Sequence, residues 1–195
     1  MYGMSSLQWM LVGLTVWATT IALLVMLIRR DRAKDARLLE SLGLRGTWTS
    51  KTFRFAGVLN GMPITATAAS VRNPRGNAHY PVTRITLQSA PSQHILILQN
   101  STYDSPERIQ SFGMAPVHTG HASFTAHVGS AEAARAWGTG GVAALGRLTA
   151  DDAKHLWEVS SAHGTVNVVL GTANIHVVPE AFRRVVELAL AIARL

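Results

Sequence analysis

His118-Thr119-Gly120-His121, followed by His127, is the densest grouping among eight histidines, and imidazole is the commonest transition-metal ligand among side chains. On an extended strand His121, Ser123, Thr125 and His127 share one face. At ~3.3 Å per residue His121 and His127 lie roughly 20 Å apart, too far to share an ion. His118 and His121 could meet across the turn between them and are the only weak metal candidates. Two imidazoles without a third His or a carboxylate leave a site incomplete. The grouping therefore reads as a polar strand face, and no cofactor is expected.

Gly138-Thr139-Gly140-Gly141-Val142-Ala143 matches G-x-G-x-x-A, whose glycines let backbone amides approach a pyrophosphate. That fingerprint needs a strand directly before it, and residues 131 to 137 favour helix. Gly141 to Gly146 has phosphate-loop spacing, but Arg147-Leu148 stands where Lys and Ser/Thr would hold phosphate and magnesium. A flexible linker between two helices is the expectation. There is no G-x-S-x-G elbow and no H-E-x-x-H, and the absence of Cys removes thiol nucleophiles and Cys-ligated metals. Asp104 and Glu107 fall in a polar loop, while Asp151 and Asp152 sit at a helix start, where the helix dipole accounts for them. The expected function is therefore non-catalytic, with a hydrolase using His118, His121 and the loop acids as the least favoured alternative.

These residues belong to a chain of 195 residues with 18 Lys plus Arg against 11 Asp plus Glu. Its apolar content is uneven. Leu7 to Ile28 contains no charge, and at ~1.5 Å per residue it spans roughly 33 Å, enough for a ~30 Å hydrocarbon core. A basic leader and a small-residue cleavage site, which would mark a signal peptide, are both missing. Residues 1–6 carry no Lys or Arg, whereas Arg29, Arg30, Arg32, Lys34 and Arg37 follow the span. The positive-inside rule then predicts a short external N-terminus (1–6), a transmembrane helix (7–28), a basic juxtamembrane helix (29–43) and a cytoplasmic domain (44–195) in the inner membrane.

The juxtamembrane helix has i,i+3 pairs Asp31/Lys34 and Arg37/Glu40, a stop at Gly43, and an apolar edge of Leu38, Leu39 and Leu42 that could dock on the domain or on another copy. Beyond it, Trp48 to Leu59 and Met62 to Val71 flank Asn60-Gly61, a strong hairpin signal. Val82 to Ser89 alternates, and Ile95 to Leu98 reads as a central strand buried on both faces. A four-strand meander is the simplest assembly. A polar loop (101–120) leads to a strand from His121 to Val128, then to short helices from Ala131 to Trp137 and over about Ala150 to Ser160, the second capped by Thr149 with Asp152. Thr165 to Leu170 and Asn174 to Val178 suggest a second hairpin around Gly171. Pro179 opens a closing helix with Phe182, Val185, Val186, Ala189, Ile192 and Ala193 on one face and an Arg183/Glu187 pair outside it. The expected class is α+β: an N-terminal transmembrane helix, a mainly antiparallel β-sheet, two short helices and a C-terminal packing helix.

Phe53-Arg54-Phe55-Ala56-Gly57, Gly61-Met62-Pro63-Ile64-Thr65, the Thr83 to Leu87 strand and Thr119-Gly120-His121-Ala122-Ser123-Phe124 resemble, in order and spacing, a loose group of uncharacterised bacterial single-pass membrane proteins. The resemblance implies a cytoplasmic α+β domain over most of residues 45–195 and carries no activity.

Charge is the more informative feature. Between Glu40 and Asp104 there is no acidic residue, yet Arg45, Lys51, Arg54, Arg72, Arg75 and Arg84 all fall there. Together with the five basic residues after the span, they form the expected lipid- or polyanion-facing set. Each would contribute about 1 kcal/mol near an anionic leaflet. A membrane-tethered nucleic-acid binder is the competing expectation, with Phe53, Phe55 and Tyr80 as stacking groups. The favoured expectation is an anchored interaction or scaffolding subunit that meets the lipid bilayer and a protein partner or a second copy.

Overall fold

The computed structural model describes residues 6–48, 52–72, 79–88, 93–100, 113–172 and 174–195. Helix α1 (Ser6–Ser41) is a single unbroken rod of 36 residues, about 54 Å long at 1.5 Å per residue. Through residue 30 its side chains are exposed, and this part is long and apolar enough to cross a membrane. The hydroxyls of Thr15, Thr19 and Thr20 donate to the carbonyls of Leu11, Thr15 and Val16 at 2.7–2.8 Å, so no polar side chain among them is left unpaired in an apolar surround. The helix ends where Gly43 takes φ +78°. Leu44 N–H donates to the Leu39 carbonyl and Gly43 N–H to that of Glu40, a Schellman closure whose apolar pair, Leu39 with Leu44, is buried in the core. The apolar edge thus docks on the chain's own domain.

Nine strands form one antiparallel sheet among the described residues: β1 (Arg45–Trp48), β2 (Phe53–Leu59), β3 (Met62–Arg72), β4 (His79–Gln88), β5 (Ile95–Gln99), β6 (Ala115–Val117), β7 (Phe124–Val128), β8 (Leu156–Ala162) and β9 (Thr165–Leu170). Their order is β1-β2-β3-β4-β9-β8-β5-β7-β6. Asn60-Gly61 turns β2 into β3 with both residues at positive φ, as its sequence demands. The four-strand meander needs correction, because the β8–β9 hairpin inserts between β4 and β5. That hairpin turns at His163-Gly164, again with both φ positive, whereas residues 174–178 hold a 3-10 turn (Ile175–Val177) and no strand.

One face of the sheet carries Phe53, Phe55, Ile85, Leu87, Val168, Val159 and Ile97, all buried. It packs against the last turns of α1 and against four further helices: α2 (Ala131–Ala136), α3 (Val142–Leu145), α4 (Ala150–His155) and α5 (Pro179–Ile192). The expected apolar face of α5 is buried throughout, although Arg183 pairs with Glu180 at 3.1 Å. Helix α4 stops at His155 instead of continuing to Ser160, since residues 156–162 gain two strand neighbours that outweigh helix propensity. Strand β7 begins at Phe124, later than His121.

Candidate membrane-proximal site

The glycine-rich stretch is neither linker nor phosphate loop. Trp137–Gly141 is a π-helical turn joining α2 to α3. The Trp137 ring lies against Gly141, where a Cβ would fall 2.2 Å from a ring carbon, and its indole N–H donates to the His118 carbonyl at 2.7 Å. Gly141 thus makes room for an aromatic ring. His121 is likewise occupied: its Nδ1 accepts from the Ser123 N–H at 3.2 Å and its ring packs on Phe124. His118 is exposed, and among the described residues no three His, Cys, Asp or Glu side chains converge as a metal site. Asp104 and Glu107 lie outside the described residues. Phe53 and Phe55 are buried in the core and offer no face to a base. Tyr80 is exposed, edge-on to Trp157.

Asp152 accepts the Thr149 backbone N–H, and Thr149 Oγ accepts that of Asp152, closing the expected capping box. Its carboxylate also takes Arg184 of α5 through two bonds of 2.7 and 2.8 Å. Burial alone would raise the Asp152 carboxyl. The Arg184 guanidinium and the Thr149 bonds outweigh it and hold the group below the usual carboxylate range. Asp152 therefore staples α4 to α5, and its role is architectural.

Where α1 meets the domain the chemistry is denser. Asp35 is almost wholly buried. Its Oδ1 accepts the His176 backbone N–H at 2.8 Å and the His176 Nδ1 at 2.7 Å, and the other imidazole nitrogen faces Asp31 at 3.5 Å. Asp31 is also paired with Lys34 at 3.4 Å. Sequence reading missed this bridge, since nothing local links residue 35 to residue 176. The unexplained signal was an acid on the same edge as Leu38 and Leu39.

Contacts along α1 also fix the direction of the strands. Gly57 lies against Gly43 at the foot of the helix, while Arg32, about 16 Å higher at 1.5 Å per residue, rests 5.2 Å above the ring of Trp48, which in turn packs on Phe53. Strand β1 thus runs back alongside α1 toward the span. Strand β3 reaches the same level at Ala68, in register beside Thr67↔Arg54, and continues four residues to Arg72. At ~3.3 Å each those residues carry the β3–β4 pair about 13 Å further along the span side.

A cavity of about 570 Å³ opens between α1 and this extension, with Ile28, Arg32, Trp48, Ala68, Ser70 and His79 in its wall. Of the expected basic set, Arg45, Arg54 and Arg84 are exposed on the sheet face away from α1, with Arg54 and Arg84 on either side of Thr67 in one cross-strand row. Arg29, Arg30, Arg32, Lys34 and Arg37 are on α1, and Arg72 closes β3. Lys51 and Arg75 lie outside the described residues.

No family model matches the chain, and no curated protein matches it in sequence. Among solved structures, the fold is similar to the crystal structure of the mycobacterial trehalose monomycolate transport factor A, TtfA, with a TM-score of 0.56 at 11% identity, over 83% of this chain and 93% of that one. At that identity the likeness is one of fold.

Proposed function

We propose that the chain is a membrane-anchored, non-catalytic interaction or scaffolding subunit, N-terminus outside and domain in the cytoplasm, whose basic end lies against the anionic leaflet. The observation that carries this reading is the continuity of α1. One helix runs from the apolar span into the hydrophobic core, where Leu39 is fully buried and Asp35 is clamped by His176. A domain held this way has a set height and rotation above the bilayer, which suits a part whose work is to present a surface. The five basic residues directly after the span support the orientation. Arg54 and Arg84, level with Arg32, come within a Debye length of the headgroups. The fold neighbour's name makes that protein a transport factor, which agrees with a role that requires no active site here.

The absence of cysteine makes orientation directly testable. In intact cells an impermeant maleimide should label Ser5→Cys and leave Val58→Cys, an exposed position on β2, unlabelled until the membrane is opened. Labelling of Val58→Cys from outside would reverse the orientation. A pull-down in mild detergent should return a stoichiometric protein partner or a second copy; a lone monomer would count against the subunit role.

A further inference from the structure

The β3–β4 pair outruns the sheet on the span side. Among the described residues β2 pairs with β3 no further than Thr67 and β9 pairs with β4 no further than Thr83, whereas β3 and β4 stay paired with each other out to Arg72↔His79. Their last residues are a two-stranded ribbon, a form with little stability of its own in water. The cavity beside α1 fixes where the ribbon stands, because Ser70, His79 and Pro81 share its wall with Ile28, the last residue of the apolar stretch. The rise per residue gives the same level. From the pairing of Arg32 with Trp48, Ile28 lies about 6 Å toward the span along the helix, and Ser70 lies about 7 Å beyond Ala68 along the strand. The closing pair Arg72↔His79, about 13 Å beyond Ala68, therefore passes Ile28 by about 7 Å and stands level with Leu23 and Leu24.

Two observations say what surrounds a ribbon at that height. Beyond Ala68 no further strand joins the outer edge of β3 among the described residues, and an open strand edge cannot enter hydrocarbon. Tyr80, on the same sheet face as Arg84, is 44% exposed and edge-on to Trp157, and Tyr and Trp favour the boundary between headgroups and acyl chains. We propose that the β3–β4 ribbon lies in the headgroup layer of the bilayer, with Tyr80 as its interfacial anchor, so that the hydrocarbon begins near Leu24 and not at Ile28. Residues 7–24 then cross it, about 27 Å of helix, within the ~17–25 residues that spanning helices use. Tyr80 is one residue, about 3 Å, short of the closing pair, inside a headgroup layer about 5–7 Å thick. The proposal rests on the bilayer placement of α1 given above and adds the element that meets the lipid and its depth.

The test uses single-cysteine variants of the full chain, which has no cysteine of its own, labelled with an environment-sensitive fluorophore in vesicles containing phosphatidylglycerol. The vesicles carry a nitroxide either on the lipid headgroup or in mid-chain. His79→Cys, at an exposed ribbon position, should lose more emission to the headgroup nitroxide than to the mid-chain one. Val16→Cys, exposed on α1, should show the reverse, and Val58→Cys, at the far end of β2, should lose emission to neither. In the His79→Cys chain, Tyr80→Ser should reduce the loss toward that of Val58→Cys and Tyr80→Trp should keep it, with circular dichroism establishing that each variant is folded. A His79 label as unquenched as Val58, or quenched most from mid-chain, would overturn the proposal while a deep Val16 label leaves the span intact. Equal His79 losses in the Tyr80→Ser and Tyr80→Trp chains would overturn the anchor. A Val16 label that the mid-chain nitroxide does not reach would refute the bilayer placement itself.

Discussion

Replacing Asp35 with Ala tests whether the domain is fixed to its helix or only connected to it. The substitution removes the acceptor of two bonds from His176, at 2.8 and 2.7 Å. Bonds to a charged acceptor contribute about 1.5–3 kcal/mol each. Against that loss stands the cost of burying the carboxylate, whose Oδ2 has no hydrogen-bond partner among the described residues and whose removal from a dry site returns part of the penalty. The net destabilisation should be about 2–4 kcal/mol. Asp35→Asn, which keeps an acceptor of the same shape, should cost roughly half as much. Urea unfolding of the full chain in detergent, followed by the fluorescence of Trp48 and its fellow tryptophans, gives the energies. Hydrogen exchange at residues 175–178 gives the location. Because the two side chains touch, Asp35→Ala and His176→Ala should be non-additive by at least about 0.5 kcal/mol. Additive losses, or unchanged exchange at that 3-10 turn, would refute the clamp.

Gly141→Ala should destabilise by about 2–3 kcal/mol through overpacking against Trp137, and Trp137→Leu in the same chain should recover part of it; a neutral Gly141→Ala would mean that the ring does not occupy that space. Arg184→Met should lower the urea midpoint, because it leaves the buried Asp152 carboxylate without its guanidinium partner; an unchanged midpoint would mean that the pair does not hold α4 to α5. Since the Asp152 carboxyl titrates below its unfolded value, its contribution is present in full above about pH 4 and disappears as pH falls through the lower folded value; wild type should lose stability in that acid window and Asp152→Asn should lose less. His127, lowered by burial, acts with the same sign at higher pH: its contribution is present above about pH 6.5 and fades as acid protonates it, so His127→Gln should flatten that part of the stability profile. His163→Asn at φ +51° should stabilise by up to about 1 kcal/mol, seen as a rise of a few degrees in melting temperature.

What was readable in the chain is what local chemistry determines. Asn60-Gly61 carries its turn in two residues, Thr149 and Asp152 cap a helix within four, and the apolar face of α5 follows from spacing alone. The β8–β9 hairpin was misread because its turn uses His163, a residue with weak turn preference, and because residues 150–160 satisfy helix propensity until tertiary pairing with β5 and β9 claims those from Leu156 onward. The insertion of that hairpin beside β4 is a long-range choice that no window of sequence contains. The glycine-rich stretch failed for a related reason: glycines that approach a phosphate and glycines that admit an indole ring look alike until the ring, four residues earlier in the chain, is seen folded back on them.

The same distinction governs the candidate site. The basic residues after the span and the absence of acids from residue 41 to residue 103 were visible as composition, yet composition alone suggests a sheet lying flat on the bilayer. Gly57 beside Gly43 and Trp48 beneath Arg32 run the strands along the helix, so under the proposed placement of α1 across a bilayer the domain would present strand ends to it, with Arg54 and Arg84 nearer the surface and Arg45 two residues deeper on the same face. In that arrangement a reversal of charge at Arg54 or Arg84 should weaken association with anionic lipid more than the same change at Arg45, whereas a flat sheet would make the three equivalent. Charge reversals compared by the salt dependence of lipid cross-linking separate these geometries, and equal effects at all three positions would reject the end-on arrangement.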